Sequence, residues 1–113
     1  MATIKINSFK CVELQDAVPP DFIELRVGGK KVAGPIGVQK GLRVQLGGIP
    51  VNFTGSTTVQ LLELDGDLND PNYSKADDLG TRSVSDDPDT DNNLDFDDLK
   101  HAFYTLNYSV TSS

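Results

Sequence analysis

The 113-residue sequence has no tryptophan, one cysteine, one histidine and only three glutamates. The lone Cys11 excludes an internal disulfide and a thiolate metal cluster, and reads as a small buried hydrophobe. His101 is the only imidazole, so a zinc centre would lack further soft ligands. Three Tyr and five Phe without Trp leave little to line a sugar cleft. No apolar run approaches the roughly 20 residues of a membrane-spanning helix. Met1-Ala2-Thr3-Ile4-Lys5 lacks the hydrophobic stretch of a signal peptide. The expectation is a chain with neither element, with a peripheral-membrane or a secreted setting both open. Ten Lys/Arg against seventeen acids give a net charge of −7, and no basic stripe carries interleaved aromatics. Nucleic acid is therefore not an expected partner. There is no Ser-x-Gly elbow, no Cys–His pair placed by a motif and no phosphate loop, so no enzyme is expected.

Aspartate fills the space these absences leave. Fourteen of the seventeen acids are Asp, and twelve of those lie between Asp65 and Asp98. Residues 1–64 hold five acids and seven Lys/Arg, whereas residues 65–113 hold twelve acids and three Lys/Arg. Aspartate is the shorter carboxylate, favours turns and supplies oxygen to calcium. Like charges packed this densely repel unless the segment is disordered or holds a cation.

The apolar pattern is that of β structure in a single domain, residues 1–113. Short alternating runs are separated by Gly and Pro without a helical period. Strands are expected at Thr3–Val12, Phe22–Val27 and Lys30–Ala33, the last two joined by a Gly28-Gly29 turn. Leu42–Leu46 is expected to turn at Gly47-Gly48 into Ile49–Phe53. Thr57–Leu64 is the most apolar strand and is expected to be central. Gly80–Val84 and Phe103–Val110 complete the set. About eight such strands predict an antiparallel two-sheet β-sandwich. Phe96, Leu99 and Phe103 stand at helical spacing, which predicts a short helix near the C-terminus.

The acids fall at loops expected to meet at one end of this sandwich. Asp16 and Asp21 flank Ala17-Val18-Pro19-Pro20, Asp65 and Asp67 follow the apolar strand, and Asp77-Asp78 precede Leu79-Gly80. Calcium takes about six to eight oxygens, which two such loops with carbonyls and water could supply. Any one Asp at a strand end also serves as a plain turn residue.

Pro20-Asp21-Phe22-Ile23-Glu24-Leu25-Arg26-Val27, and Leu62-Glu63-Leu64-Asp65-Gly66-Asp67 leading to Asp77-Asp78-Leu79-Gly80, resemble the calcium loops of a C2 domain, the calcium-dependent membrane-binding sandwich. The resemblance implies a C2-like fold of permuted topology, with Asp16, Asp21, Asp65, Asp67 and Asp77 as calcium carboxylates. It also implies Val18 and Pro19 as membrane-contacting tip residues. Asp16 and Asp21 are five apart where the family has six, the Asp67–Asp77 stretch is long, and Asp70 is an alternative to Asp77. The Pro-x-Trp motif of the family's middle strands and its lysine-rich strand are missing.

Separately, the stretch from Asp87 to Asp98 resembles an EF-hand loop, or the calcium loop of a dockerin repeat. Carboxylates Asp87, Asp89, Asp91, Asp95 and Asp98 stand at positions 1, 3, 5, 9 and 12, and Asn92 takes the place of the usual Gly. An acidic flexible loop is the alternative reading. The expected cofactor is calcium. The expected function is calcium-dependent docking on an anionic phospholipid surface or a protein partner. The alternative is a structural or adhesive domain, binding protein or glycan, in which calcium only stabilises loops.

Overall fold

Along a strand, successive side chains point to opposite faces, so every second residue must find an apolar neighbour. The computed structural model describes residues 1–14, 21–65, 75–99 and 102–112. Among the described residues eight strands follow in order: β1 (Ala2–Glu13), β2 (Asp21–Val27), β3 (Lys30–Val38), β4 (Arg43–Phe53), β5 (Ser56–Asp65), β6 (Lys75–Ser85), β7 (Asp89–Phe96) and β8 (Phe103–Ser112). They form two sheets, β4-β1-β8-β7 and β3-β2-β5-β6, with every pairing antiparallel. The expected two-sheet β-sandwich is the observed fold.

The core lies between the sheets. One contributes Ile4, Ile6 and Phe9 from β1 and Tyr104, Leu106 and Val110 from β8. The other contributes Ile23, Leu25 and Val27 from β2, Val59 and Leu61 from β5, and Leu79 and Val84 from β6. Each such side chain, fully buried, contributes about 1.5–3 kcal/mol. A register shift between Ile6 and Ser8 lets β1 keep Ile4 and Ile6, then Phe9 and Cys11, on the inner face. The phase of the alternation changes at Asn7.

Two sequence expectations are corrected. Gly47-Gly48 does not end a strand. β4 pairs with β1 on both sides of it (Ile6 with Ile49, Ser8 with Gln45), and the two glycines, at φ 70° and 74°, form a bulge opposite Asn7. The expected helix across Phe96, Leu99 and Phe103 is absent among the described residues. Phe96 ends β7, Ala102 N–H donates to Leu99 C=O at 3.3 Å, and Phe103 begins β8. Phe96 and Phe103 owe their spacing to the ends of two strands.

Antiparallel order sorts the strand ends. At one end β1 stops and β2 starts, β5 stops and β6 starts, and β7 stops and β8 starts. This is the Asp21 end. The opposite end carries the Gly28-Gly29 turn and the Ser85–Asp89 connection.

On the flank where β6 faces β7, Arg82 ties the sheets together. Its guanidinium donates to Asp98 Oδ1 at 2.7 Å and Oδ2 at 3.2 Å, to Asp97 Oδ1 at 3.4 Å and to the Asp95 carbonyl at 3.0 Å. It also lies 5.3 Å from the Phe96 ring centroid, a cation–π contact. Gly80 makes room for this arrangement. Its φ is 143°, and a Cβ there would sit 2.9 Å from Arg82 Nη1 and 3.1 Å from Phe96 Cδ1. Gly80→Ala is therefore expected to lower stability by about 1–3 kcal/mol, read as a shifted midpoint in urea denaturation. An unchanged midpoint would contradict this packing.

Candidate functional site

Asp21 opens β2 and is fully buried. A carboxylate out of water needs a donor. Tyr104, from β8 of the facing sheet, supplies one, donating its O–H to Asp21 Oδ2 at 2.6 Å. Buried Cys11 stands directly across the β1–β8 ladder from Tyr104. Burial, then the bond to Asp21, drives the Tyr104 phenol far above its ordinary value of 10.0. Burial likewise raises the Cys11 thiol above 9.0, partly offset by Tyr104. This polar cluster joins β1, β2 and β8 inside the core. In the sequence Cys11 reads only as a small hydrophobe, and no motif marks Tyr104.

The neighbouring strand ends carry more acid. Glu63 of β5 pairs with Ile23 of β2 on one side and with Asp77 of β6 on the other, and Asp65 pairs with Lys75. Glu63 is buried and Asp77 half-buried. Asp21, Asp77 and the end of β5 at Asp65 thus stand on three adjacent strands at one end of one sheet. Of the other expected residues, Asp16, Asp67, Val18 and Pro19 lie outside the described residues, as does the alternative Asp70. Among the described residues, no three His, Cys, Asp or Glu side chains converge as a metal-ligand set.

The EF-hand-like reading of 87–98 is corrected. Asp89–Phe96 is the eight-residue strand β7, paired with β8 from Asp89–Val110 to Phe96–Tyr104. At roughly 3.3 Å per residue it spans about 26 Å. Asp87 and Asp89 sit at one end of the sandwich and Asp98 at the other, so they cannot share an ion. Their side chains also have protein partners. Asp87 accepts from Ser85 Oγ at 3.4 Å, Asp89 from Asn92 Nδ2 at 2.8 Å and Asp91 from Asn107 Nδ2 at 2.6 Å. Asp98 is held by Arg82, whose hydrogen bond lowers the carboxyl below its ordinary 3.8. That ion pair stabilises the fold above the ordinary carboxylate range and is lost as pH falls through the lowered value. Arg82 was legible as one of three basic residues after position 64, but its partners were not.

No protein-family model matches the sequence, and no curated protein matches it. Among the described residues no helix is long and apolar enough to cross a membrane.

Two measurements test the buried cluster. Tyr104→Phe removes the hydroxyl that donates to Asp21 Oδ2 while keeping the ring, and is expected to cost about 1–3 kcal/mol. The pH dependence follows from the raised values. The unfolded chain loses the Cys11 and Tyr104 protons near 9.0 and 10.0, while the folded chain keeps them. Their stabilisation is complete below that range and falls as pH rises through it. Urea unfolding across alkaline pH should show this decline, with a shallower slope in Tyr104→Phe. Equal slopes would contradict the assignment.

Proposed function

We propose that the chain is a calcium-binding, C2-like β-sandwich module that docks on an anionic phospholipid surface when calcium is bound. Asp16, Asp21, Asp65, Asp67 and Asp77 are its ligands. One observation carries the reading. The strand ends that bracket Asp16 (β1 and β2) and those that bracket Asp67 (β5 and β6) lie at the same end of the sandwich, with β2, β5 and β6 adjacent in one sheet. Carboxylates are hard oxygen donors and suit calcium; no soft ligand is needed. The Tyr104 bond holds the Asp21 carboxylate in one orientation, so less ordering would remain on metal binding.

Charge supplies the switch. Without metal, the acidic end is repelled by an anionic surface at about −30 mV. Bound calcium cancels the local charge, and a head-group phosphate completes its shell. Val18 and Pro19 then meet the lipid.

A second reading is favoured by the burial of Asp21. A cation held by a carboxylate that is already bonded to the opposite sheet would stiffen that end, in a structural or adhesive domain.

Calcium is expected to raise the melting temperature over EDTA by mass action, about 2.7 kcal/mol at a hundredfold excess over its dissociation constant. Asp65→Asn with Asp67→Asn should abolish the shift, whereas Asp87→Asn with Asp91→Asn should leave it. Identical melting curves in calcium and EDTA would overturn the calcium reading. Co-sedimentation with phosphatidylserine vesicles separates the two roles. Calcium-bound protein that stays in the supernatant at low salt would favour the structural role.

A further inference from the structure

The fold divides the charge of the chain sideways. β6 and β7 are the edge strands of one flank, joined by Arg82, and β3 and β4 are the edges of the other. From Lys30 to Phe53 the chain carries Lys30, Lys31, Lys40 and Arg43 and no acid. From Lys75 to Asp98 it carries nine aspartates with only Lys75 and Arg82. The four basic residues are exposed, as are Asp86, Asp87, Asp91, Asp95, Asp97 and Asp98. Some of this charge is matched internally. Lys40 pairs with Glu13 at 2.9 Å, and Arg82 pairs with Asp97 and Asp98.

We propose that the β3/β4 flank of one copy of this chain docks on the β6/β7 flank of a second copy, head to tail. Three features of the structure meet in this arrangement. The flanks are complementary in sign, and each is the pair of outer strands of the same two sheets. Strand direction also fits. With every pairing antiparallel and four strands per sheet, β4 runs opposite to β7 and β3 opposite to β6. A sideways translation, with no rotation, therefore sets antiparallel edges together in both sheets at once.

The charges also fall at matching heights. Arg43, Lys10, Thr105 and Asp95 form one cross-strand row over the whole β4-β1-β8-β7 sheet. Translation brings Asp95 of one copy level with Arg43 of the next, with Asp97 and Asp98 beside it. At the other end of the sandwich, Lys30 and Lys31 on one flank lie at the same end as Asp86 and Asp87 on the other.

The backbone edges themselves do not support a continued ladder. Pro35 interrupts β3, and the Gly47-Gly48 bulge and Pro50 interrupt β4. The contact therefore rests on charge and is reversible and salt-sensitive. Because the two surfaces differ, it builds open chains of copies rather than a closed pair.

Sedimentation velocity of the full chain in EDTA tests this independently of calcium. At about 0.01 M ionic strength the Debye length is about 30 Å, and at about 1 M it is about 3 Å. The weight-average mass should rise at least about twofold with protein concentration at low salt, as expected for heterologous chaining, and return to a single chain at high salt. One variant, Lys30→Glu, Lys31→Glu, Arg43→Glu, loses the basic flank. Another, Asp86→Lys, Asp95→Lys, weakens the acidic flank. Each should stay a single chain alone, and a mixture of the two should associate. For the unaltered chain, a single copy at every salt, association that survives high salt, or a mass that stops at two copies would overturn the proposal. So would a single chain that instead binds phosphatidylserine vesicles through its basic flank in EDTA. Circular dichroism checks that each variant folds; if one does not, the salt response of the unaltered chain decides.

Discussion

The hydrogen bond from Tyr104 to the fully buried carboxylate of Asp21 is the constraint on which the loop end depends. A carboxylate removed from water is costly unless a donor meets it, and here the donor comes from the opposite sheet. The bond fixes the start of β2 against the start of β8. With β2 placed, antiparallel pairing carries the position across to β5 and then β6. Cys11 on β1 stands opposite Tyr104 in the β1–β8 ladder, so the strands that bracket the Asp16 and Asp67 connections are joined through this contact and the ladders beside it.

The sandwich was legible because its inner strands alternate cleanly. Ile23, Leu25 and Val27, or Tyr104, Leu106, Tyr108 and Val110, show a period of two that only a half-buried strand needs. The edges were less legible. β7 reads as Asp-Thr-Asp-Asn-Asn because an edge strand meets the core through few residues, here Leu94 and Phe96. Its acids mimic a metal loop, although the ladder to β8 stretches them along the sandwich. Gly47-Gly48 looked like a turn because the sequence does not distinguish a bulge within a strand from a hairpin between two. At the loop end, the acids and their approximate grouping were visible as clustered Asp. The donor to Asp21 was not, since a buried tyrosine hydroxyl eighty-three positions away leaves no local pattern.

The aspartates divide into two populations with different work. Those along β7 and just beyond it meet side-chain partners, Asn107 for Asp91 and Arg82 for Asp97 and Asp98, and their charge faces outward along one flank. Such charge discourages unwanted strand addition at the edge. Those at the Asp21 end stand on adjacent strands beside the core, and there a bound divalent cation would relieve like-charge repulsion. The proposed function follows from the second population and the proposed self-association from the first. The two are separable because one requires calcium and the other requires low salt.

The central claim is that the Asp21 end holds calcium. Calorimetric titration of calcium into the whole chain, with magnesium as the control, addresses it most directly. The account predicts saturable calcium binding somewhere in the range of about 10⁻⁶ to 10⁻³ M, where sensor and extracellular sites fall. Magnesium should bind far more weakly, because it is smaller and demands near-octahedral geometry. A titration with no saturable calcium binding up to millimolar concentrations, or one in which magnesium binds as well as calcium, would contradict it.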